Sequence, residues 1–196
     1  MISRIVDDGA SFGAWVGIGA ALVLAIAFEL IIPVQTIVFV LAPLMGAVIG
    51  AYANVRSDRW RPRARVLINA FYAGLVSGIA LALIYVVIRL VFVYGDSGAL
   101  PDGTSMQCQA GPDCAYQRYV DAGESEVLAS RGITDAATYE AAIWQDLTVT
   151  GAGLIALTVG GALVGGLARS FSSPPKAVPL PTASRRLRPR AEEIGS

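Results

Sequence analysis

Histidine is absent from the 196 residues of this chain, and lysine occurs once, at Lys176. Without histidine the chain has no Ser-His-Asp triad and no His-ligated zinc or haem. The sequence also lacks a phosphate-binding glycine loop, a His-Glu-x-x-His motif and a Gly-x-Ser-x-Gly motif. We therefore expect no catalytic residue, no metal site, no cofactor and no enzymatic activity.

Charge is also scarce, since charged residues make up 15% of the chain and hydrophobic residues 55%. Soluble domains carry roughly 25% charged residues. The apolar residues lie in blocks that match the about 20 helical residues needed to cross a bilayer. This composition predicts an all-α, polytopic membrane protein. The preference for arginine over lysine is typical of a GC-rich bacterial genome, so the expected location is a bacterial inner membrane.

The apolar blocks predict four transmembrane helices. The first block, 12–54, would be about 65 Å long as one helix, and Pro33 favours a break inside it because proline removes a helical hydrogen bond. We interpret it as a hairpin with spans at 12–32 and 35–54. The third span is expected at 66–94 and the fourth at 148–168. Together they predict a four-transmembrane-helix bundle.

The distribution of charge predicts the orientation of these spans. The loop 55–65 carries five arginines, and the segment 169–196 carries Lys176 and five more arginines. By the positive-inside rule both are cytoplasmic, and so is the N-terminus, 1–11. Residues 95–147 carry nine acidic residues against Arg118 and Arg131. We expect a multi-pass protein of the plasma membrane in which this acidic loop is external.

The external loop is predicted to be helical and to contain a disulfide. Cys108 and Cys114 are the only cysteines, and Gly111-Pro112 between them favours a turn; two free thiols are the alternative. Two short helices or one broken helix should follow, with a stop at Gly132. Thr134 is the expected N-cap of a further helix that reaches Trp144 and runs into the fourth span.

Each span carries two glycines four residues apart, a spacing that lets transmembrane helices approach closely. We predict that these pairs pack the helices together, most tightly in the cytoplasmic half. The pairs are Gly13/Gly17, Gly46/Gly50, Gly74/Gly78 and Gly161/Gly165.

Two charged residues lie inside predicted spans, Glu29 in the first and Arg89 in the third. They are expected at a similar depth near the outer surface. Paired, they would line an outward-facing polar site together with Gln35 and Tyr85. Two alternatives remain: each side chain reaches the headgroups separately, or the pair only locks two helices together.

The segment 169–196 is predicted to be a disordered, basic, proline-rich tail. It contains Pro174, Pro175, Pro179, Pro181 and Pro189. Its arginines would bind anionic lipid headgroups at the cytoplasmic face of the bilayer. We expect no nucleic acid among its partners.

Two functions fit these features. The first is a non-catalytic accessory or scaffold subunit that packs against another membrane protein or forms a homo-oligomer. The second is a small solute carrier or channel with an outward-facing polar site near Glu29 and Arg89. In either case a ligand or partner site is expected in the outer half of the bundle.

Overall fold

The computed structural model describes residues 6–31, 35–55, 62–95 and 108–171, and within them the chain is helical without strands. The elements are α1 (Asp8–Ala25), a π-helical segment (Ile26–Ile31), α2 (Gln35–Val55), α3 (Arg63–Tyr94), α4 (Pro112–Asp121), α5 (Ser125–Ser130) and α6 (Ala136–Phe171).

Four of these helices, α1, α2, α3 and α6, are long and apolar enough to cross a membrane. Helix α3 has 32 residues and α6 has 36, which is more than the about 20 that one crossing requires. Four apolar helices of this length indicate a multi-pass integral membrane protein.

The outward faces of the four long helices carry large apolar side chains. Trp15 in α1 is 72% exposed, Val48 in α2 is 69% exposed and Val91 in α3 is 64% exposed. Soluble monomers rarely leave so much contiguous apolar surface in water. These faces therefore suit contact with lipid.

The helix boundaries extend beyond the predicted spans. Helix α1 begins at Asp8 rather than 12, and α3 begins at Arg63 rather than 66. The helix expected after Thr134 and the fourth span are one continuous helix, α6, as predicted. The break expected at Pro33 lies outside the described residues, and so do the arginine-rich part of the loop, 56–61, and the tail, 172–196.

Helices α2 and α3 form the centre of the packing. Helix α1 packs against both of them, and α6 packs against both as well. The glycines give the directions: Gly46 and Gly50 of α2 lie against Thr158 and Ala162 of α6, so α2 and α6 run parallel. Helix α3 runs antiparallel to α6, since Gly74 lies against Ala162 and the later Gly78 against Ile155.

These directions define two ends of the four-helix packing. At the terminal end, the starts of α1 and α3 meet the ends of α2 and α6; Asn69, for example, bonds Asp7, and Asn54 bonds the carbonyl of Val66. At the loop end, α4 packs on α6 and α3. All polar or acidic groups of the loop 108–135 therefore lie at one end of the molecule.

Buried polar residues cluster at the terminal end. Asn69 is fully buried, and its Nδ2 donates a hydrogen bond of 2.8 Å to Oδ2 of Asp7 while its Oδ1 accepts one of 3.3 Å from the Asp7 amide. Asn54 donates Nδ2 to the carbonyls of Gly50 and Val66. These bonds join the beginning of α1 to α3 and the end of α2 to α3.

The loop end is filled by a cluster of buried side chains, which we call the apolar core. Its buried members come from all four long helices, and Leu81 and Leu154 are fully buried in it. They are Ala21, Ala25, Val38, Ala42, Leu81, Tyr85, Leu147 and Leu154.

The loop contains two short helices, α4 and α5, rather than one broken helix. A disulfide joins Cys108 to Cys114, as predicted, with their Cα atoms 5.5 Å apart. Gly123 and Gly132 end α4 and α5 with φ of 82° and 77°, a left-handed conformation that glycine adopts without steric cost. After Gly132, the amide of Ile133 bonds the carbonyl of Leu128, which completes a helix C-terminal motif.

The predicted N-cap at Thr134 is wrong by one residue. Asp135 caps α6: its Oδ1 accepts a 2.7 Å hydrogen bond from the Thr138 amide, while Thr138 Oγ1 accepts from the Asp135 amide. This is a reciprocal capping box, in which a carboxylate also favours the positive end of the helix. Hydrogen bonds that the Thr138 amide and the Thr138 hydroxyl donate to the carboxylate lower the pKa of the Asp135 carboxyl below its usual value.

Candidate functional site

Glycines bring the backbones of α2 and α6 into direct contact. A Cβ atom added to Gly46 would overlap the carbonyl oxygen of Thr158, and one added to Gly50 would overlap that of Ala162. The relation is reciprocal, because Gly161 lies against the carbonyl of Pro43 and Gly165 against that of Ala47.

This geometry places backbone carbonyls directly on glycine Cα groups. Such an approach allows weak Cα–H···O contacts, which recur where helices pack closely. It also leaves no room for any side chain larger than hydrogen at these four positions. Each of the two glycine pairs therefore contacts the backbone of the helix that carries the other pair, within this chain.

The other two glycine pairs also face neighbouring helices of the bundle. A Cβ at Gly74 would approach Ala162 of α6, and one at Gly78 would approach Ile155. In α1, Gly13 lies against Ala53 of α2, and a Cβ at Gly17 would overlap the Ser77 hydroxyl of α3. That these pairs drive the association of the helices stays a prediction.

Two glycines outside the pairs have open surroundings. A Cβ at Gly19 of α1 or at Gly160 of α6 would meet nothing within 4 Å. Gly160 lies on an exposed face of α6 that also contains Ala152 and Ala156. This face, 152–160, is the small-residue face of α6.

A cavity of about 440 Å³ opens at the loop end, and we call it the cup. Its walls come from α3, α4, the turn after α5, and α6. It is lined by Arg89, Phe92, Val93, Ala115, Arg118, Tyr119, Arg131, Ile133, Tyr139, Ala142, Ile143, Asp146 and Leu147.

Helical spacing explains which side chains reach the cup. Residues three and four apart share one face of a helix, and α4 contributes Ala115, Arg118 and Tyr119 in that spacing. The residues of α3 and α6 that line the cup repeat the same interval, from Arg89 to Val93 and from Tyr139 to Leu147. The cup is thus formed where one face of each helix converges.

The floor of the cup is the apolar core. Leu147 is only 3% exposed and belongs to that core, and Ile143 packs against it. Beneath them lie Leu154 and Leu81, which are fully buried. In the described residues the cup is therefore open at the loop end and closed by apolar side chains at its floor.

The charge of the residues that line the cup is opposite in sign to the net charge of the loop 95–147. The loop 95–147 carries nine acidic residues and two arginines. Both arginines, Arg118 and Arg131, line the cup with Arg89, whereas Asp146 is the only acidic residue among its lining side chains.

Aromatic contacts hold α4 against the start of α6. The rings of Tyr116 and Tyr119 lie 6.0 and 5.9 Å from the ring of Tyr139, centroid to centroid. The Tyr116 hydroxyl donates a 2.8 Å hydrogen bond to the Thr134 carbonyl, and the Tyr94 hydroxyl bonds the Glu140 carboxylate. These contacts fix Arg118 and Tyr119 over the cup.

Of the four residues proposed from sequence for a polar site, the structure describes the side chains of two, Arg89 and Tyr85. Arg89 lines the cup, but Tyr85 is 2% exposed and lies in the apolar core. Glu29 belongs to the π-helical segment and Gln35 begins α2, and the side chains of both lie outside the described residues. A pair of Glu29 with Arg89 therefore stays a prediction.

Sequence reasoning missed Arg118 and Arg131 as site residues. In the sequence they are only the two basic residues of an acidic loop. The interval Ala115, Arg118, Tyr119 contained a signal for Arg118, because it places the arginine beside a small residue and an aromatic ring on one helix face. No local pattern places Arg131, which reaches the cup from a turn.

No protein-family model, no curated protein and no solved structure matches this chain. The contacts described above are therefore the basis on which a function is proposed.

Proposed function

We propose that this integral membrane protein is a non-catalytic accessory or scaffold subunit that packs against another membrane protein. The observation that carries the proposal is the filled interior of the four long helices. Apolar side chains occupy the loop-end half, and glycine backbone contacts close the approach of α2 to α6. An interior of this kind supports a structural role.

The buried hydroxyl groups support the same role. Ser77 donates a 2.7 Å hydrogen bond to the carbonyl of Ala73, and Thr158 donates one of 2.8 Å to that of Leu154. Each hydroxyl bonds the preceding turn of its own helix, as serine and threonine do in helices. They are thereby occupied within the helices rather than directed at a solute.

The proposed contact with the partner is the small-residue face of α6. Ala152, Ala156 and Gly160 recur every four residues and are exposed. Small residues at this interval allow a second transmembrane helix to approach closely. We assign this face to a transmembrane helix of a different protein.

Charge argues against a second copy of the chain as the partner. The exposed residues of α4 and α5 include Asp113, Asp121 and Glu126. Two copies joined side by side would bring these acidic surfaces near each other, and like charges repel. A different protein is therefore the proposed partner, and the experiment must distinguish it from a second copy of this chain.

Site-specific crosslinking tests the partner. A photoreactive amino acid at Ala156 should crosslink to one membrane protein of different mass, whereas the same probe at Gly19, which is equally open on α1, should not. Gly160→Leu should reduce the crosslink, and Gly19→Leu should leave it unchanged. A crosslink between two copies of this chain, or equal crosslinking at both probes, would contradict the assignment.

A small solute carrier or channel is the second candidate, and the cup is the observation that favours it. The cup contains Arg89, one of the residues of the predicted polar site. The apolar core beneath it argues for the accessory role, since a carrier needs a polar path. Solute flux into proteoliposomes that Arg89→Gln abolishes would favour the carrier.

The proposed orientation places the loop end outside the cell and both termini in the cytoplasm of a plasma membrane. The acidic loop and the arginine-rich segments support it through the positive-inside rule. The basic tail is proposed to bind anionic headgroups at the cytoplasmic face.

A further inference from the structure

We propose that the cup is a binding site for a phosphate group carried on an apolar body. The proposal concerns the loop end and does not depend on the partner assigned to α6. Its ligand chemistry is that of an anionic phospholipid or of a soluble phosphate ester.

The arginines supply the anionic specificity. Arg89 comes from the last turns of α3, Arg118 from α4 and Arg131 from the turn after α5, so three separate elements bring guanidinium groups to one cavity. Guanidinium is planar and donates paired hydrogen bonds that match phosphate oxygens. Convergence of both arginines of an otherwise acidic loop is the arrangement expected for holding an anion.

The remaining walls suit an apolar body attached to the phosphate. Phe92 and Val93 line the side formed by α3, and Ile143 and Leu147 line the side and floor formed by α6. A depression that combines apolar walls with convergent polar groups is suited to a small molecule that has both kinds of surface. Its volume of about 440 Å³ suits a headgroup with the first part of a chain, or a small ester.

The position of the cup favours a ligand from the membrane. Arg89 and Val93 lie in the last two turns of α3, and Asp146 and Leu147 directly precede the predicted fourth span. A bilayer around the four long helices would place its headgroups near this level. An acyl chain could then remain in lipid while the phosphate contacts the arginines.

Thermal unfolding of the full chain in dodecyl maltoside tests the proposal, because a ligand that binds the folded state raises the unfolding midpoint. The probes are dioctanoyl phosphatidylglycerol, dioctanoyl phosphatidylcholine, glycerol 3-phosphate and inorganic phosphate. We expect phosphatidylglycerol to raise the midpoint in a saturable manner and phosphatidylcholine to do so weakly. A rise with glycerol 3-phosphate or inorganic phosphate as well would identify a soluble phosphate as the source.

Variants distinguish the cup from general lipid binding. Arg131→Gln and Arg89→Gln should each raise the half-saturating concentration about tenfold, since each removes charge-assisted hydrogen bonds. Arg131 is exposed, so its replacement should leave folding intact. Arg63→Gln, at the opposite end of α3 from Arg89, is the matched control and should bind as the unaltered protein does.

Two results would overturn the proposal. One is the absence of a saturable rise with every phosphate probe. The other is an equal change in half-saturation for Arg131→Gln and Arg63→Gln, which would mean that the phosphate binds wherever arginine is present. Partial recovery by Arg131→Lys would support guanidinium recognition, because lysine keeps the charge but loses the paired geometry.

Discussion

Adjacent glycines in α6 differ in what surrounds them. Gly161 lies against the Pro43 carbonyl, whereas Gly160 has nothing within 4 Å of the position of a Cβ atom. Both occur in the same apolar sequence, and the spacing rule selected Gly161 because it pairs with Gly165. The sequence could indicate that Gly161 is a packing residue, but the helix that each glycine contacts is set by the tertiary structure.

Gly161→Ala should lower the thermal unfolding midpoint of the purified protein, while Gly160→Ala should leave it nearly unchanged. The added methyl group at Gly161 must displace backbone of α2, and overpacking of this kind costs about 1–3 kcal/mol. The measurement is thermal unfolding in one detergent for both variants. Equal midpoints would mean that α2 and α6 separate enough to admit a side chain.

Asp135 makes the start of α6 sensitive to pH. Its folded pKa is lowered by the amide and hydroxyl of Thr138, so the carboxylate stabilises the helix start above the unfolded pKa of about 3.9. That stabilisation is lost as pH falls through the lower, folded pKa. We expect protection of the Thr138 amide from hydrogen exchange, corrected for the intrinsic rate, to fall over this acid range.

Asp135→Asn is the matched control for this prediction. Asparagine also accepts the capping hydrogen bond, but it does not titrate. Protection of the Thr138 amide should therefore stay constant over the same acid range in this variant. An equal loss of protection in both proteins would assign the effect to another group.

At the scale of elements, the disulfide is attached to α4, which forms one wall of the cup. The bond joins residues only six apart in sequence, so it restricts a short segment. Helix α4 begins inside this segment, at Pro112, and contributes Ala115, Arg118 and Tyr119 to the cup. The pairing was predictable because the chain has only two cysteines, but its place beside the cup was not.

Reduction of the disulfide should change the loop end more than the long helices. We expect a small fall in the global unfolding midpoint, corresponding to at most ~3 kcal/mol for a short closed ring. Proteolysis near residues 108–121 should increase much more. The measurement is unfolding and limited proteolysis with and without reductant, and a Cys108→Ser/Cys114→Ser variant should reproduce the reduced state in both.

A collapse of the whole fold on reduction would contradict this view. It would mean that α4 supports the long helices, instead of resting on them through Tyr116, Tyr119 and Tyr139.

At the scale of the whole molecule, alternate helix directions place the beginning of α1 and the end of α6 together at the terminal end. Asp7 bonds Asn69 there, and Gly166 lies against Ala70. This agrees with the even number of crossings inferred from hydropathy. Which end faces the cytoplasm rests on charge alone.

Reporter fusions test that orientation. Alkaline phosphatase inserted after Gly123, in the exposed turn between α4 and α5, should be active, because the enzyme matures only outside the cytoplasm. A fluorescent protein fused after Ser196 should fluoresce from the cytoplasmic side. The opposite pair of signals would invert the proposed topology, and with it the side from which the cup is reached.

The sequence by itself determined the four long helices, the cysteine pairing and the glycine spacing. Each depends on residues close together in the chain: about 20 apolar residues per crossing, two cysteines in one loop, and glycines one helical turn apart. The helix boundaries differ from those predicted from sequence, because α1 and α3 continue past their apolar segments into polar residues that helices also accept.

The tertiary structure alone decided which helices touch and where charge converges. Parallel packing of α2 on α6, and the meeting of Arg89, Arg118 and Arg131, involve residues tens of positions apart in the chain. By a count of its charged residues the loop is acidic, but such a count does not show the direction in which each side chain points. Folding directs its two arginines into one cavity, because helix faces and turns, rather than composition, set where each side chain points.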